Sequence, residues 1–196
     1  SSSKVVVTYQ TDPSPKTSIT WKIVAMTADF TDEYKYWVDT RTPPLFGKDA
    51  DAKAVDVARS LGTPAEVTIL DVGAGTGRNT LPLAREGFAV DALEPANALC
   101  TILRETVTTE QLAAGVVEGN ILNADLSLPR PQYRMILLSE VVASHFRSVE
   151  QLRRLFEAAA QRLEPGGLFV FNAFLSDGGY KPDDLARQLS QVLWCC

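Results

Sequence analysis

The chain has 196 residues, 45% hydrophobic and 22% charged. That balance suits one globular domain and excludes disordered, collagenous and low-complexity classes. Nineteen basic against 24 acidic side chains give a formal charge of −5, which argues against nucleic acid or an anionic membrane surface as a partner. No apolar run approaches the roughly 20 residues that span a bilayer. Val5-Val6-Val7 is too short for the apolar core of a signal peptide. The three cysteines, Cys100, Cys195 and Cys196, have neither zinc-site nor CxxC spacing, which suits free thiols in a reducing cytoplasm. The single histidine, His145, excludes a multi-histidine metal site.

Residues 1–47 differ in texture from the rest and read as an N-terminal extension. They carry Pro13, Pro15, Pro43 and Pro44 and a cluster of aromatics. Val5–Tyr9 and Ile19–Val24 predict two short strands joined by a Pro-rich turn. Residues 48–196 then alternate helix and strand signals. Ala54, Val57, Ala58 and Leu61 stripe an amphipathic helix, with Asp49 and Asp51 at its start and Gly62 and Pro64 after it. Val67–Leu70 predicts a buried strand. A Gly-rich turn and a short helix over about 79–86 follow, with Pro82 tolerated only in its first turn. Ala89–Leu93 is a second strand, and Leu99, Ile102 and Leu103 mark a helix. Gly115–Glu118 is a weaker strand and Met135–Leu138 a fourth. Leu152, Leu155, Phe156, Ala159 and Leu163 stripe another helix. Glu164-Pro165-Gly166-Gly167 turns the chain into the strand Leu168–Asn172. Pro182 opens a last helix.

This alternation implies an α/β fold: a doubly wound, mainly parallel, Rossmann-like sheet with right-handed crossovers. Ligands in such sheets bind beyond the carboxyl ends of the strands. Ile69-Leu70-Asp71-Val72-Gly73-Ala74-Gly75-Thr76-Gly77 falls at such an end. Its glycines permit positive φ and close backbone approach to a ligand. The spacing is GxGxG, with Arg78 where a dinucleotide fingerprint would need glycine.

Asp71-Val72-Gly73-Ala74-Gly75-Thr76-Gly77 resembles motif I of the class I S-adenosylmethionine-dependent methyltransferases. Four further segments agree in order. Val90-Asp91-Ala92-Leu93-Glu94-Pro95 resembles the second-strand segment. Glu118-Gly119-Asn120-Ile121 resembles the adenine-contact segment, where Asp is commoner than Asn. Tyr133–Val141 resembles the fourth strand, although Tyr133-Arg134 replaces a frequent Phe-Asp. Leu163–Gly167 resembles the turn before the fifth. The resemblance spans roughly residues 64–174 and implies S-adenosyl-L-methionine as cofactor.

By that resemblance, Asp71 orients the methionine part, and Gly73, Gly75 and Gly77 pass under methionine and ribose. Glu94, followed by Pro95, takes the ribose hydroxyls. Asn120 meets the adenine amino group and Ile121 packs on the ring. Ser139 and Glu140 sit at the mouth of the fourth strand. His145 is the candidate general base, with Glu140 in reserve; a structural histidine is the plain alternative. Tyr34, Tyr36 and Trp37 are expected in a lid, with Arg41 reaching the methionine carboxylate. Packing on the core is their plain alternative.

The resemblance also implies seven strands, the last an antiparallel edge. Few residues follow the fifth core strand, so the sequence reads as one cut short at its C-terminal edge. Alternatively, the N-terminal strand pair fills that edge. The expected function is methyl transfer to a small-molecule or carrier-bound acceptor. A cofactor-binding module without turnover, or a protein methyltransferase, is the alternative. Neither the acceptor atom nor an oligomeric state is encoded in these motifs.

Overall fold

The computed structural model describes residues 4–10, 49–139 and 149–174. Six strands form one sheet: β1 (Lys4–Gln10), β2 (Thr68–Val72), β3 (Ala89–Glu94), β4 (Ala114–Glu118), β5 (Tyr133–Leu138) and β6 (Leu163–Phe174). Their order is β1-β6-β5-β2-β3-β4. The five strands β2 to β6 pair in parallel, and β1 runs antiparallel along β6 from Lys4↔Phe174 to Gln10↔Leu168. The strand expected at Val5–Tyr9 therefore stands at the sheet edge beside the fifth parallel strand. Its expected partner, Ile19–Val24, and the helix expected after Pro182 lie outside the described residues.

Four α-helices are described: α1 (Ala52–Ser60), α2 (Thr80–Arg85), α3 (Asn97–Thr109) and α4 (Val149–Ala160). Asp51 caps α1 by accepting from the N–H groups of Lys53 and Ala54 at 3.0 and 3.4 Å, which satisfies donors a helix start leaves over. Pro82 stands third in α2, within the first turn, where its missing N–H removes no helical bond.

The twofold side-chain period of strands separates two cores. Ile69, Val90, Met135 and Leu137 face one side and pack on Ala54, Val55 and Ala58 of α1 and Leu83 and Ala84 of α2. Leu103 of α3 joins Ala92 on that side. Leu70, Val72, Ile136 and Leu138 face the other side and pack with Leu155, Phe156 and Ala159 of α4. Phe156 stands edge-on to Phe169 at 5.1 Å and lies 4.9 Å from Phe171, the centroids being the reference points.

Three details of the expected elements are corrected. Leu163 does not continue the α4 stripe; it is the first residue of β6 and is buried there. The chain has already turned, since Arg162 O accepts the Tyr133 N–H at 2.8 Å. The Glu164–Gly167 turn lies within the extended course of β6. Pairing jumps from Tyr133↔Leu163 to Met135↔Leu168, so this segment bulges out of the ladder. Ile102, placed in the α3 stripe, is exposed, and Cys100 takes the buried place beside Leu99 and Leu103.

The amino end of the sheet is closed by a buried polar cluster. Asp91 Oδ2 accepts from the Tyr133 hydroxyl at 2.8 Å and from Arg130 Nη1 at 2.6 Å. Gly115 makes room for it, because a Cβ there would stand 2.5 Å from Asp91 Oδ1. Nearby, the Arg134 N–H donates to Thr68 Oγ1 and Arg134 Nη1 to Gly166 O. Burial, then the Asp91 carboxylate, pushes the Tyr133 hydroxyl well above the usual tyrosine range, so it stays a donor. Tyr133→Phe leaves the buried carboxylate one donor short. We expect it to lower unfolding free energy in urea by about 1–3 kcal/mol, without changing the denaturant slope.

Candidate functional site

The strand order reverses at β2: β3 and β4 extend to one side, β5 and β6 to the other. A crevice beyond the carboxyl ends of β2, β3 and β5 is the expected ligand place in such a sheet. The glycine-rich loop runs from the end of β2 to the start of α2. Its first N–H groups, at Gly73 and Ala74, donate to Leu93 O at 2.8 and 3.2 Å, which holds the loop against β3.

Gly75 and Gly77 both adopt positive φ, +57° and +91°, but for different surroundings. A Cβ at Gly77 would run into Leu103 and stand 2.9 Å from Leu81 Cγ; this glycine lets the loop pack on α3. A Cβ at Gly75 would meet nothing within 4 Å. Among the described residues, no side chain enters the space over Gly75.

Glu94, the last residue of β3, is fully buried. Its Oε2 accepts the Gly75 N–H and its Oε1 the Ala96 N–H, both at 2.8 Å. Its backbone carbonyl accepts from the Gly119 N–H at 3.0 Å and from the Cys100 thiol at 3.3 Å. Burial pushes the Cys100 thiol up to about 11, so it is a protonated donor. Pro95, next in the chain, is exposed.

Asp71 lies on the α1–α2 side by the strand period and is 1% exposed. Its Oδ2 accepts the Thr80 hydroxyl at 2.6 Å. Burial raises its carboxyl to about 6, with the Thr80 hydroxyl and then the Arg78 charge opposing the rise. Thr80 was not singled out in the sequence. The signal was available: a hydroxyl in the first turn of the following helix faces the strand end from which the loop departs.

On the loop after β4, Asn120 is half-buried, and its Oδ1 accepts the Leu122 N–H at 3.0 Å. Ile121 is buried beside Leu93, Val72 and Leu138. Ser139 follows β5, and its hydroxyl is buried with no hydrogen-bond partner among the described residues. It lines a small cleft with Asp51, Lys53 and Ala54 of the α1 start and Val170 and Phe171 of β6. That helix start is tied to the loop, since the Asp51 N–H donates to Asn79 Oδ1 at 2.9 Å. These lining residues were also missed, because β6 and the α1 start meet Ser139 only in three dimensions. Of the expected site residues, Asp71, Gly73, Gly75, Gly77, Glu94, Asn120, Ile121 and Ser139 thus stand around the carboxyl ends of four neighbouring strands. Glu140, His145, Tyr34, Tyr36, Trp37 and Arg41 lie outside the described residues.

The model of the methyltransferase domain family matches residues 69–167, half of the chain. The chain belongs to the class I S-adenosylmethionine-dependent methyltransferases. It is 31% identical over 116 residues to a demethylmenaquinone methyltransferase of Tropheryma whipplei (strain Twist), covering 59% of this chain and 45% of that protein. It is 30% identical over 126 residues to the dTDP-4-amino-2,3,4,6-tetradeoxy-D-glucose N,N-dimethyltransferase of Saccharopolyspora spinosa, covering 63% and 48%. The chain thus spans about half the length of these curated relatives. The glycopeptide N-methyltransferase MtfA, solved with sinefungin, shares the fold at a TM-score of 0.55 and 23% identity, over 70% of this chain and 60% of that one. Among the described residues, no helix is long and apolar enough to cross a membrane.

The two loop glycines of this methyltransferase chain separate by substitution. Gly75→Ala bears only the left-handed backbone penalty, about 1–2 kcal/mol. It is expected to keep a cooperative melt and to weaken binding of S-adenosylhomocysteine. Gly77→Ala adds overpacking of about 1–3 kcal/mol to the same penalty. Its melting temperature is expected to fall clearly below that of Gly75→Ala.

Proposed function

We propose that this chain is the cofactor-binding and catalytic core of an enzyme that transfers a methyl group to a small-molecule or carrier-bound acceptor. The observation that carries the reading is the Glu94 carboxylate, held at the reversal of strand order with the open space over Gly75 beside it. Relatives named for a quinone and for an amino sugar support the acceptor class. The acidic balance of the chain favours such acceptors over nucleic acid. The free thiol of Cys100 suits a cytoplasmic setting.

S-adenosyl-L-methionine supplies, when bound, a methyl group on a positively charged sulfur, already activated toward an attacking lone pair. The chain's residues fit it. Glu94, buried at the end of β3 with its carboxylate at the Gly75 N–H, is our choice for the ribose hydroxyls. Asp71, ionised, faces the methionine ammonium. Asn120 and Ile121 border the purine. The Ser139 hydroxyl, without a partner among the described residues, is our choice for the side of the crevice where the acceptor meets the methyl group. His145, with Glu140 in reserve, takes the acceptor's proton where the acceptor is an oxygen or nitrogen. By the family resemblance, Tyr34, Tyr36 and Trp37 are our choice for a lid and Arg41 for the partner of the methionine carboxylate. Positioning and exclusion of water are the protein's main contributions to such a displacement.

Calorimetric titration with S-adenosylhomocysteine tests this reading. Glu94→Ala is expected to weaken binding by about tenfold or more, equivalent to about 1.4 kcal/mol. Unchanged affinity in that variant, or no binding by a folded wild-type chain, removes the reading.

A second expectation follows from Asp71. Its carboxyl titrates at about 6 in the free fold, above the range of an unfolded aspartate. The neutral form is therefore favoured by folding, and that stabilisation is lost as pH rises through about 6. Binding of a cationic ammonium needs the ionised form, so affinity is expected to rise with pH through about 6 and then level off. Thr80→Val removes a bond to the carboxylate and is expected to move that midpoint upward. An affinity flat from pH 5 to 8 sinks the assignment of Asp71.

A further inference from the structure

We propose that Asn79 is a positioning residue for the site: through the Asp51 N–H it seats the start of α1 on the glycine loop, so that a ligand held by that loop steadies the wall facing Ser139. The inference rests on the cofactor reading above and adds to it a residue that acts through another.

Asn79 stands at the junction of the glycine loop and α2. Asparagine at such a place ordinarily caps the helix that follows, yet this side chain makes no capping bond to α2. It is buried, and its Oδ1 accepts instead the Asp51 N–H at 2.9 Å, 28 residues back in the chain. An N–H is a donor, so that bond fixes which end of the amide faces α1. A buried amide oxygen deprived of its donor is destabilising, so the loop and the helix start hold each other. Arg78, the preceding residue, adds a second tie, its Nη1 donating to Asp49 O at 3.1 Å. Two consecutive residues at the end of the loop therefore grip the stretch 49–51.

What that stretch carries explains the use of the grip. Asp51 caps α1 with its side chain and gives its own N–H to Asn79, so one residue faces both ways. The body of α1 is fixed by Ala54, Val55 and Ala58 against the sheet; its start is fixed at Asn79. Asp51, Lys53 and Ala54 form one wall of the cleft that Ser139 and Phe171 line from the strand ends. The loop thus sets the place of a wall that belongs to another element.

The groups that meet a ligand adjoin Asn79 on both sides. Gly77, two residues before it, packs the loop on α3. Thr80, the next residue, donates its hydroxyl to Asp71 at 2.6 Å, and the Arg78 charge reaches the same carboxylate. A ligand that selects the ordered loop selects the seated helix start with it. By linkage, the factor by which the ligand stabilises the seat is the factor by which the seat strengthens the ligand.

The test is amide hydrogen exchange of the whole chain, read residue by residue by NMR, without and with saturating S-adenosyl-L-homocysteine. The Asp51 N–H reports the seat. The Leu61 N–H, which donates to Ala58 O at 3.1 Å at the other end of the same helix, reports any general stabilisation. The ligand is expected to slow local opening at Asp51 by about tenfold or more, and at Leu61 by less than about threefold. In calorimetric titration, Asn79→Ala is expected to lose affinity for the same compound by a factor comparable to the slowing at Asp51. Ser60→Ala, which removes a hydroxyl bond at the far end of α1, is expected to bind as wild type. Equal slowing at Asp51 and Leu61, or none at Asp51, overturns the proposal. So does wild-type affinity in a folded Asn79→Ala, or a comparable loss in Ser60→Ala. If Asn79→Ala does not fold, the two wild-type amides decide alone. Failure of the folded wild type to bind the compound is a separate result; it overturns the cofactor reading and this proposal with it, whereas binding that leaves Asp51 unmoved overturns the proposal alone.

Discussion

The structure turns on one carboxylate. Glu94 is wholly buried at the end of β3, a place where an unsatisfied charge would be strongly destabilising. Two backbone N–H groups satisfy it, one from the loop after β2 and one from its own following turn. Its carbonyl holds a third segment, the start of the loop after β4. Three connections that are distant in sequence therefore converge on one residue. The glycine loop is pinned to β3 by this convergence.

The two ends of the sheet do different work. At the carboxyl end, polar groups face a crevice, and one of them, the Ser139 hydroxyl, has no partner among the described residues. At the amino end, polar groups face one another. Asp91, Tyr133 and Arg130 form a closed set, and Arg134 ties β5 to the bulge of β6. The family's frequent Phe-Asp is replaced by Tyr133-Arg134 at this second end. The exchange brings a hydroxyl to Asp91 and a guanidinium to Gly166, and it leaves the register of β2 and β5 regular from Ile69↔Met135 to Val72↔Leu138.

Local periodicity made most of the fold legible. The strands at Val67–Leu70, Ala89–Leu93 and Met135–Leu138 are short apolar runs between turn signals, and each appears within a residue or two of its expected place. What periodicity could not carry was the end of α4. Leu163 fits the helical stripe by spacing, yet a strand needs an apolar first residue at the same point, and the tertiary pairing with Tyr133 decides between them. The pairing of β1 with β6 joins residues more than 150 positions apart, a partner no local pattern can name. At the site, the acids and glycines were legible because each answers a backbone constraint that leaves a trace in spacing. Thr80, Asp51 and Phe171 answer only to neighbours brought by folding.

The glycine motif shows why a short string can be read correctly and still be understood only in part. Gly75 and Gly77 look alike in sequence, and both take left-handed backbone. Gly77 is required by Leu81 and Leu103, which are parts of the fold. Gly75 is required by what is absent, a volume that no described side chain enters. Asp71 is buried as well, and burial raises its carboxyl to about 6 although the Thr80 hydroxyl, the Arg78 charge and the Thr80 backbone N–H oppose the rise. Stability alone gives no reason to keep a buried acid of raised proton affinity beside a volume that no described side chain enters. In the reading proposed here, the cofactor spans both.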